Sequence, residues 1–184
     1  LEVLINSFIL VFAGEMGDKT QLLALVLAAR FRKPWTIMAA ILLATLLNHG
    51  LAAWGGVAVA ELLGPRVLRW TLAIIFFVFA VWILIPDKEG EVEGAGRFGA
   101  FLTTLVAFFL AEMGDKTQLA TVALGARYSS VWLVTLGTTL GMLASNALAI
   151  FFGDKLLRRI PMPWVRRAAS VLFLAFGVLI LVGM

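Results

Sequence analysis

The 184-residue chain is 62% hydrophobic and only 14% charged, with a mean hydropathy of +1.02, which excludes an ordinary soluble domain. Its net charge of +4 does not point to nucleic acid, because the basic residues gather at the ends of apolar segments, where they orient a membrane protein. Cysteine is absent and His49 is the single histidine, which excludes disulfides, thiolate sites and a histidine-rich zinc or copper site within one chain.

Apolar runs of about 20 residues can cross a bilayer as helices. The alternation over about 10 residues that a membrane barrel would show is missing, so the expected fold is an all-α integral membrane protein. Six transmembrane helices are expected, at 4–28, 35–60, 67–86, 98–125, 130–152 and 165–184. The breaks follow from Arg30, Arg32, Lys33 and Pro34; from Glu61, Gly64, Pro65 and Arg66; from the stretch Asp87 to Arg97; from Arg127 to Ser130; and from Asp154 to Arg167, with Pro161 and Pro163. Trp35, Trp70, Trp132 and Trp164 fall near segment ends, as interfacial anchors do. Leu1 rather than methionine opens the chain, so the native start is expected upstream.

The first and fourth segments carry the same seven residues. Glu15-Met16-Gly17-Asp18-Lys19-Thr20-Gln21 recurs as Glu112-Met113-Gly114-Asp115-Lys116-Thr117-Gln118, at an offset of 97 residues (112 − 15). Charges at the centre of a membrane helix cost about 2.5 to 3.5 kcal/mol each on insertion scales, so six of them imply a use. The register continues without a gap: Leu22 matches Leu119, Leu27 matches Leu124, Ala29-Arg30 matches Ala126-Arg127, and Trp35 matches Trp132. It also sets Asn48-His49 opposite Ser145-Asn146, and Ala40 and Ala44 opposite Gly137 and Gly141, a spacing of small residues that lets helices approach closely.

The chain therefore reads as two three-helix repeats, 1–86 and 98–184, joined by an acidic linker at 87–97 within one membrane domain. An odd number of crossings per repeat makes the second run opposite to the first, an inverted repeat that brings both motifs together near the midplane. The odd-numbered loops and their flanks carry Arg30, Arg32, Lys33, Lys88, Arg97, Lys155, Arg158, Arg159, Arg166 and Arg167, against Arg66, Arg69 and Arg127 in the even ones. This places the odd loops in the cytoplasm and both termini outside. The acids Asp87, Glu89, Glu91 and Glu93 weigh little in that rule.

On a continuous helix, Glu15, Asp18 and Lys19 would project from one side, as would Glu112, Asp115 and Lys116. Gly17 and Gly114 permit a kink or local unwinding that would free backbone carbonyls as oxygen ligands. Thr20, Gln21, Thr117 and Gln118 add neutral oxygens, and Asn48, Ser145 and Asn146 are candidates for secondary ligands or for hydrogen bonds between helices. His49 is a candidate proton relay or a packed, hydrogen-bonded histidine. Each motif sums to −1 when ionised, so the pair balances one divalent cation. Oxygen ligands suit calcium, magnesium or manganese, and clustered acids titrate as a coupled group able to hold protons instead. The expected metal ligands are Glu15, Asp18, Glu112 and Asp115, with Lys19 and Lys116 as internal counter-ions. The bland alternative is a pair of structural ion pairs, Glu15 with Lys19 and Glu112 with Lys116, but two further buried acids are a poor way to stabilise a bundle.

The doubled E-x-G-D-K-T motif in two three-helix halves closely resembles uncharacterised-protein family sixteen, the cation/proton antiporter-like manganese/calcium transporters. The resemblance covers essentially the whole chain. It implies that Glu15, Gly17, Asp18, Lys19 and Thr20, with Glu112, Gly114, Asp115, Lys116 and Thr117, form the transport site, that the ion is manganese with calcium as a second candidate, and that protons are the counter-substrate. The expectation is a secondary transporter that exports the cation in exchange for protons, in a lipid bilayer, the bacterial inner membrane. A homo-oligomer is an open expectation. No resident cofactor is expected beyond the transported ion. A passive divalent-cation channel and an organic-solute exporter are the rivals; an enzyme is not expected, since H-E-x-x-H and G-x-S-x-G are absent from the sequence.

Overall fold

A computed structural model describes residues 1–85, 99–157 and 161–183, with the backbone alone for 154–157. The described residues form eight α-helices: α1 Glu2–Glu15, α2 Lys19–Phe31, α3 Pro34–Leu62, α4 Pro65–Trp82, α5 Gly99–Glu112, α6 Lys116–Tyr128, α7 Val131–Leu157 and α8 Met162–Val182. Four of them, α3, α4, α7 up to Gly153, and α8, are long and apolar enough to cross a membrane, and α5 is a shorter apolar helix. Leucine, valine and isoleucine side chains stay exposed along their flanks, Leu51, Val81, Leu110 and Val171 among them. In water such a surface would aggregate; in lipid it is the solvated face. The molecule is an all-helical membrane protein.

One expectation changes. The segments 4–28 and 98–125, expected as single helices, are each two helices broken at the motif. Gly17 and Gly114 take left-handed conformations, with φ of 78° and 75°, which a residue bearing a Cβ adopts only at a cost. Glu15 thus ends α1 while Asp18 immediately precedes α2, and Glu112 ends α5 while Asp115 immediately precedes α6. The two acids of a motif do not share a helix face. The other ends have familiar causes: Pro34 and Pro65 open α3 and α4 at a position where no N–H is needed, and Pro163 lies in the first turn of α8. Arg32 and Ser129, one repeat apart, close α2 and α6 in the same left-handed conformation, donating to the carbonyls of Ala28 and Gly125.

The halves interlock. The main partner of α1 is α7, that of α5 is α3, and α3 also packs closely on α6. Small residues set these approaches. A Cβ on Gly137 would stand 2.6 Å from the Leu4 carbonyl oxygen, and one on Gly141 2.6 Å from that of Phe8. Between α3 and α6, a side chain on Gly56 would run into the Val122 carbonyl and one on Gly125 into that of Ala53. Ala40 and Ala44, the repeat mates of Gly137 and Gly141, are fully buried. Outside this core α4 pairs with α8 through Phe76, Phe79, Phe173 and Phe176, whose rings lie 5.2 to 6.1 Å apart across the seam. These phenylalanines keep the 97-residue register, so the repeat runs through α4 and α8. The acidic stretch 87–97 lies outside the described residues, as do Arg158 and Arg159.

Candidate metal centre

Each break in the helices delivers a buried carboxylate to a shared cluster. Glu15 and Glu112 are fully buried, Asp18 and Asp115 nearly so. Oxygens of Glu15, Glu112 and Asp115 all lie within 4.8 Å of one another. Asp18 stands outside that group but remains within electrostatic reach of Glu112 and Lys19.

Each of the three converging carboxylates has one oxygen anchored and one left over. Thr20 donates its hydroxyl to Glu15 Oε2 at 2.6 Å, Thr117 donates to Glu112 Oε2 at 3.2 Å, and Lys19 Nζ lies 3.5 Å from Asp115 Oδ1. The remaining oxygens, Glu15 Oε1, Glu112 Oε1 and Asp115 Oδ2, are buried with no hydrogen-bond partner among the described residues. Two unit charges about 5 Å apart repel by roughly 3 kcal/mol at an effective dielectric of about 20. Three such groups with one lysine are tenable only when a cation or protons supply the balance. The separation suits a hard ion. Oxygens bound to one calcium at about 2.3 to 2.6 Å can be no more than about 5 Å apart, so the cluster closes on such an ion with little movement.

The lysines differ. Lys19 does not take up the alternative pairing with Glu15 along one helix but reaches across to Asp115 in the other half. Lys116 donates to the Ile85 carbonyl at 3.2 Å and lies 5.8 Å from the Trp82 ring centre. The glutamines keep the repeat. Gln21 accepts from the Gly17 N–H at 2.9 Å and donates to the Ser145 carbonyl at 2.8 Å; Gln118 accepts from the Gly114 N–H at 2.7 Å and donates to Asn48 Oδ1 at 3.5 Å. Since Asn48 and Ser145 are also 97 apart, each motif is tied to the polar patch of the opposite half. Asn48 also donates to the Phe109 carbonyl at 3.0 Å, while Asn146 bonds within α7 to the Met142 carbonyl at 3.0 Å. The Asn48 bond ties α3 to α5, whereas Asn146 leaves its Oδ1 buried with no hydrogen-bond partner among the described residues. His49 is fully buried, and neither ring nitrogen has a hydrogen-bond partner among the described residues.

The sequence matches the family described as "Divalent cation/proton antiporter GDT1" over residues 3–91 and 100–184. The chain belongs to the GDT1 family. Among its relatives is a protein of Vibrio cholerae serotype O1 named "Putative manganese exporter", 48% identical over 176 residues, with 95% of this chain and 88% of that protein covered. A "GDT1-like protein 3" of Oryza sativa subsp. indica is 28% identical, covering 96% and 72%, and the "GDT1-like protein sll0615" of Synechocystis sp. is 25% identical, covering 94% and 93%. No solved structure matches the chain. GDT1 is a family of cation transporters, not of enzymes, and its substrates are a divalent cation and protons. This GDT1 chain has two contacts that motif reasoning missed: Arg166 on the Gly17 carbonyl and Ile85 on Lys116. The signal for the first was present, since Arg166 is the repeat mate of Arg69.

Proposed function

We propose that the chain exports manganese from the cytoplasm in exchange for protons, with calcium as a second substrate, by alternating access around the Glu15–Glu112–Asp115 cluster. The observation that carries this reading is the set of three leftover buried carboxylate oxygens, drawn from both halves and mutually within 4.8 Å. Glu15, Glu112 and Asp115 ligate the dehydrated ion. Asp18 brings the fully ionised motifs to a net −2, so that one divalent ion neutralises the site and protons on some of the acids release it. Gln21, Gln118, Thr20 and Thr117 hold the two breaks and their glutamates in place. Gly17 and Gly114 allow the breaks, and Lys19 and Lys116 offset charge. The ends of half-helices meeting at a site are how several secondary transporters present backbone dipoles to an ion.

In this reading α1 with α2, and α5 with α6, each make one broken crossing, which with α3, α4, α7 and α8 gives six. The two inverted repeats are 1–86 and 98–184, the odd-numbered loops are cytoplasmic, and the membrane is the bacterial inner one. Interlocking of each half with the other's long helix supports the two-fold relation. Full burial of both glutamates suits a carrier that occludes its ion rather than an open channel.

Reconstituted protein tests this reading. Manganese flux into liposomes should follow an imposed pH gradient, with protons moving oppositely, and calcium should compete better than magnesium. Voltage-driven manganese flux without proton counter-movement would contradict exchange.

A further inference from the structure

The two motif breaks share a backbone conformation and differ in what covers them. Over Gly17 lies the first turn of α8: a Cβ on this glycine would stand 2.6 Å from Met162 Sδ, and the Arg166 guanidinium donates to the Gly17 carbonyl oxygen at 3.3 Å. Met16 beside it is buried. At Gly114 no described residue comes within 4 Å of the corresponding point, and Met113 is 57% exposed.

The repeat register names the counterpart of this cover. Arg69 and Pro65 of α4 stand 97 residues before Arg166 and Met162. Rather than covering Gly114, they line a cavity of about 180 Å³ with Arg127 of α6 and Ile180 and Gly183 of α8.

We infer that Arg166 and Met162 form a latch that shuts one side of the transport site, and that Arg69 docks on Gly114 when the opposite side is shut. The inference rests on the inverted-repeat exchanger reading above. A carbonyl at the broken end of a half-helix concentrates negative partial charge, and a guanidinium stays charged at any physiological pH, so the latch holds whichever compartment is acidic. Opening one side and closing the other exchanges one arginine–carbonyl contact for an equivalent one. The two states therefore stay close in free energy, as a carrier that must populate both requires. Glycine is needed at position 17 for its positive φ and for the room that Met162 takes.

The chain contains no cysteine, so single cysteines report access directly. Met16→Cys and Met113→Cys variants of the full chain, purified in detergent, are reacted with a charged methanethiosulfonate. Met113→Cys should react fast and Met16→Cys slowly. Adding Arg166→Ala should raise the Met16→Cys rate about tenfold, the scale of one hydrogen bond to a charged donor, and slow Met113→Cys. Arg166→Lys, which keeps a cationic donor, should restore protection, and Arg69→Ala should leave Met16→Cys protected. Met162→Ala, which removes packing without charge, is the second variant and should shift both rates in the same directions as Arg166→Ala. Unchanged Met16→Cys reactivity in both Arg166→Ala and Met162→Ala would overturn the latch, as would a gain that Arg166→Lys fails to reverse or that appears equally at both cysteines. Labelling requires no transport. An Arg166-dependent pattern in protein that moves no manganese would sink the exchanger reading alone, and proton-coupled flux without that pattern would sink the latch alone.

Discussion

The two motif copies are identical in sequence and unequal in place. Lys19 crosses to the other half and meets Asp115 at 3.5 Å, whereas Lys116 donates to the end of α4 through the Ile85 carbonyl. Asp115 belongs to the converging cluster and Asp18 does not. Met16 is buried and Met113 exposed. A perfect two-fold would make every one of these pairs alike. A symmetric repeat thus places its carboxylates asymmetrically, and under the exchanger reading the opposite state would exchange the roles of the two copies.

The largest effect is expected where the copies diverge most. Asp115→Asn removes a converging oxygen and should abolish manganese binding in the state described, while Asp18→Asn should leave binding that is still measurable; flux, which passes through both states, should fall in both. Equal loss of binding in both would erase the distinction drawn from the geometry. Gly17→Ala and Gly114→Ala should each lower stability in detergent by about 1 to 2 kcal/mol, the cost of a left-handed conformation for a residue with a Cβ. The loss should be slightly greater at Gly17, where the Met162 side chain must shift aside; thermal melts compare them. Lys19→Gln makes the site more negative, and since the Lys19 side chain is 29% exposed the gain in manganese affinity should be modest, roughly threefold to tenfold after solvent screening, with a lower maximal rate. Lys116→Gln should move affinity less. Smallest is the pair of threonines: Thr20→Val should weaken binding by about 1 kcal/mol and Thr117→Val by less, because the hydroxyl-to-glutamate distance is 2.6 Å in the first and 3.2 Å in the second.

Much of this was legible from residue order. Charges inside apolar runs announced the site, the offset of 97 announced two halves, and the glycines at 137 and 141 announced the close seam that α7 makes with α1. Gly17 and Gly114 signalled an unwound turn, yet helical spacing still suggested that Glu15, Asp18 and Lys19 would share a face. A positive φ at one residue redirects the chain, and that redirection turns a local ion pair into one between halves. Arg166 on Gly17 was hidden for a different reason. It spans 149 positions, and register alone names Arg69 and Arg166 as equals without saying which is engaged.

Whether one pocket serves both halves is decided by the stoichiometry of manganese binding to the purified chain, by calorimetry or by the electron spin resonance of the free ion. A single shared pocket predicts one ion per chain, with binding lost in both Glu15→Gln and Glu112→Gln. Two ions per chain, each glutamate variant losing only one, would contradict it.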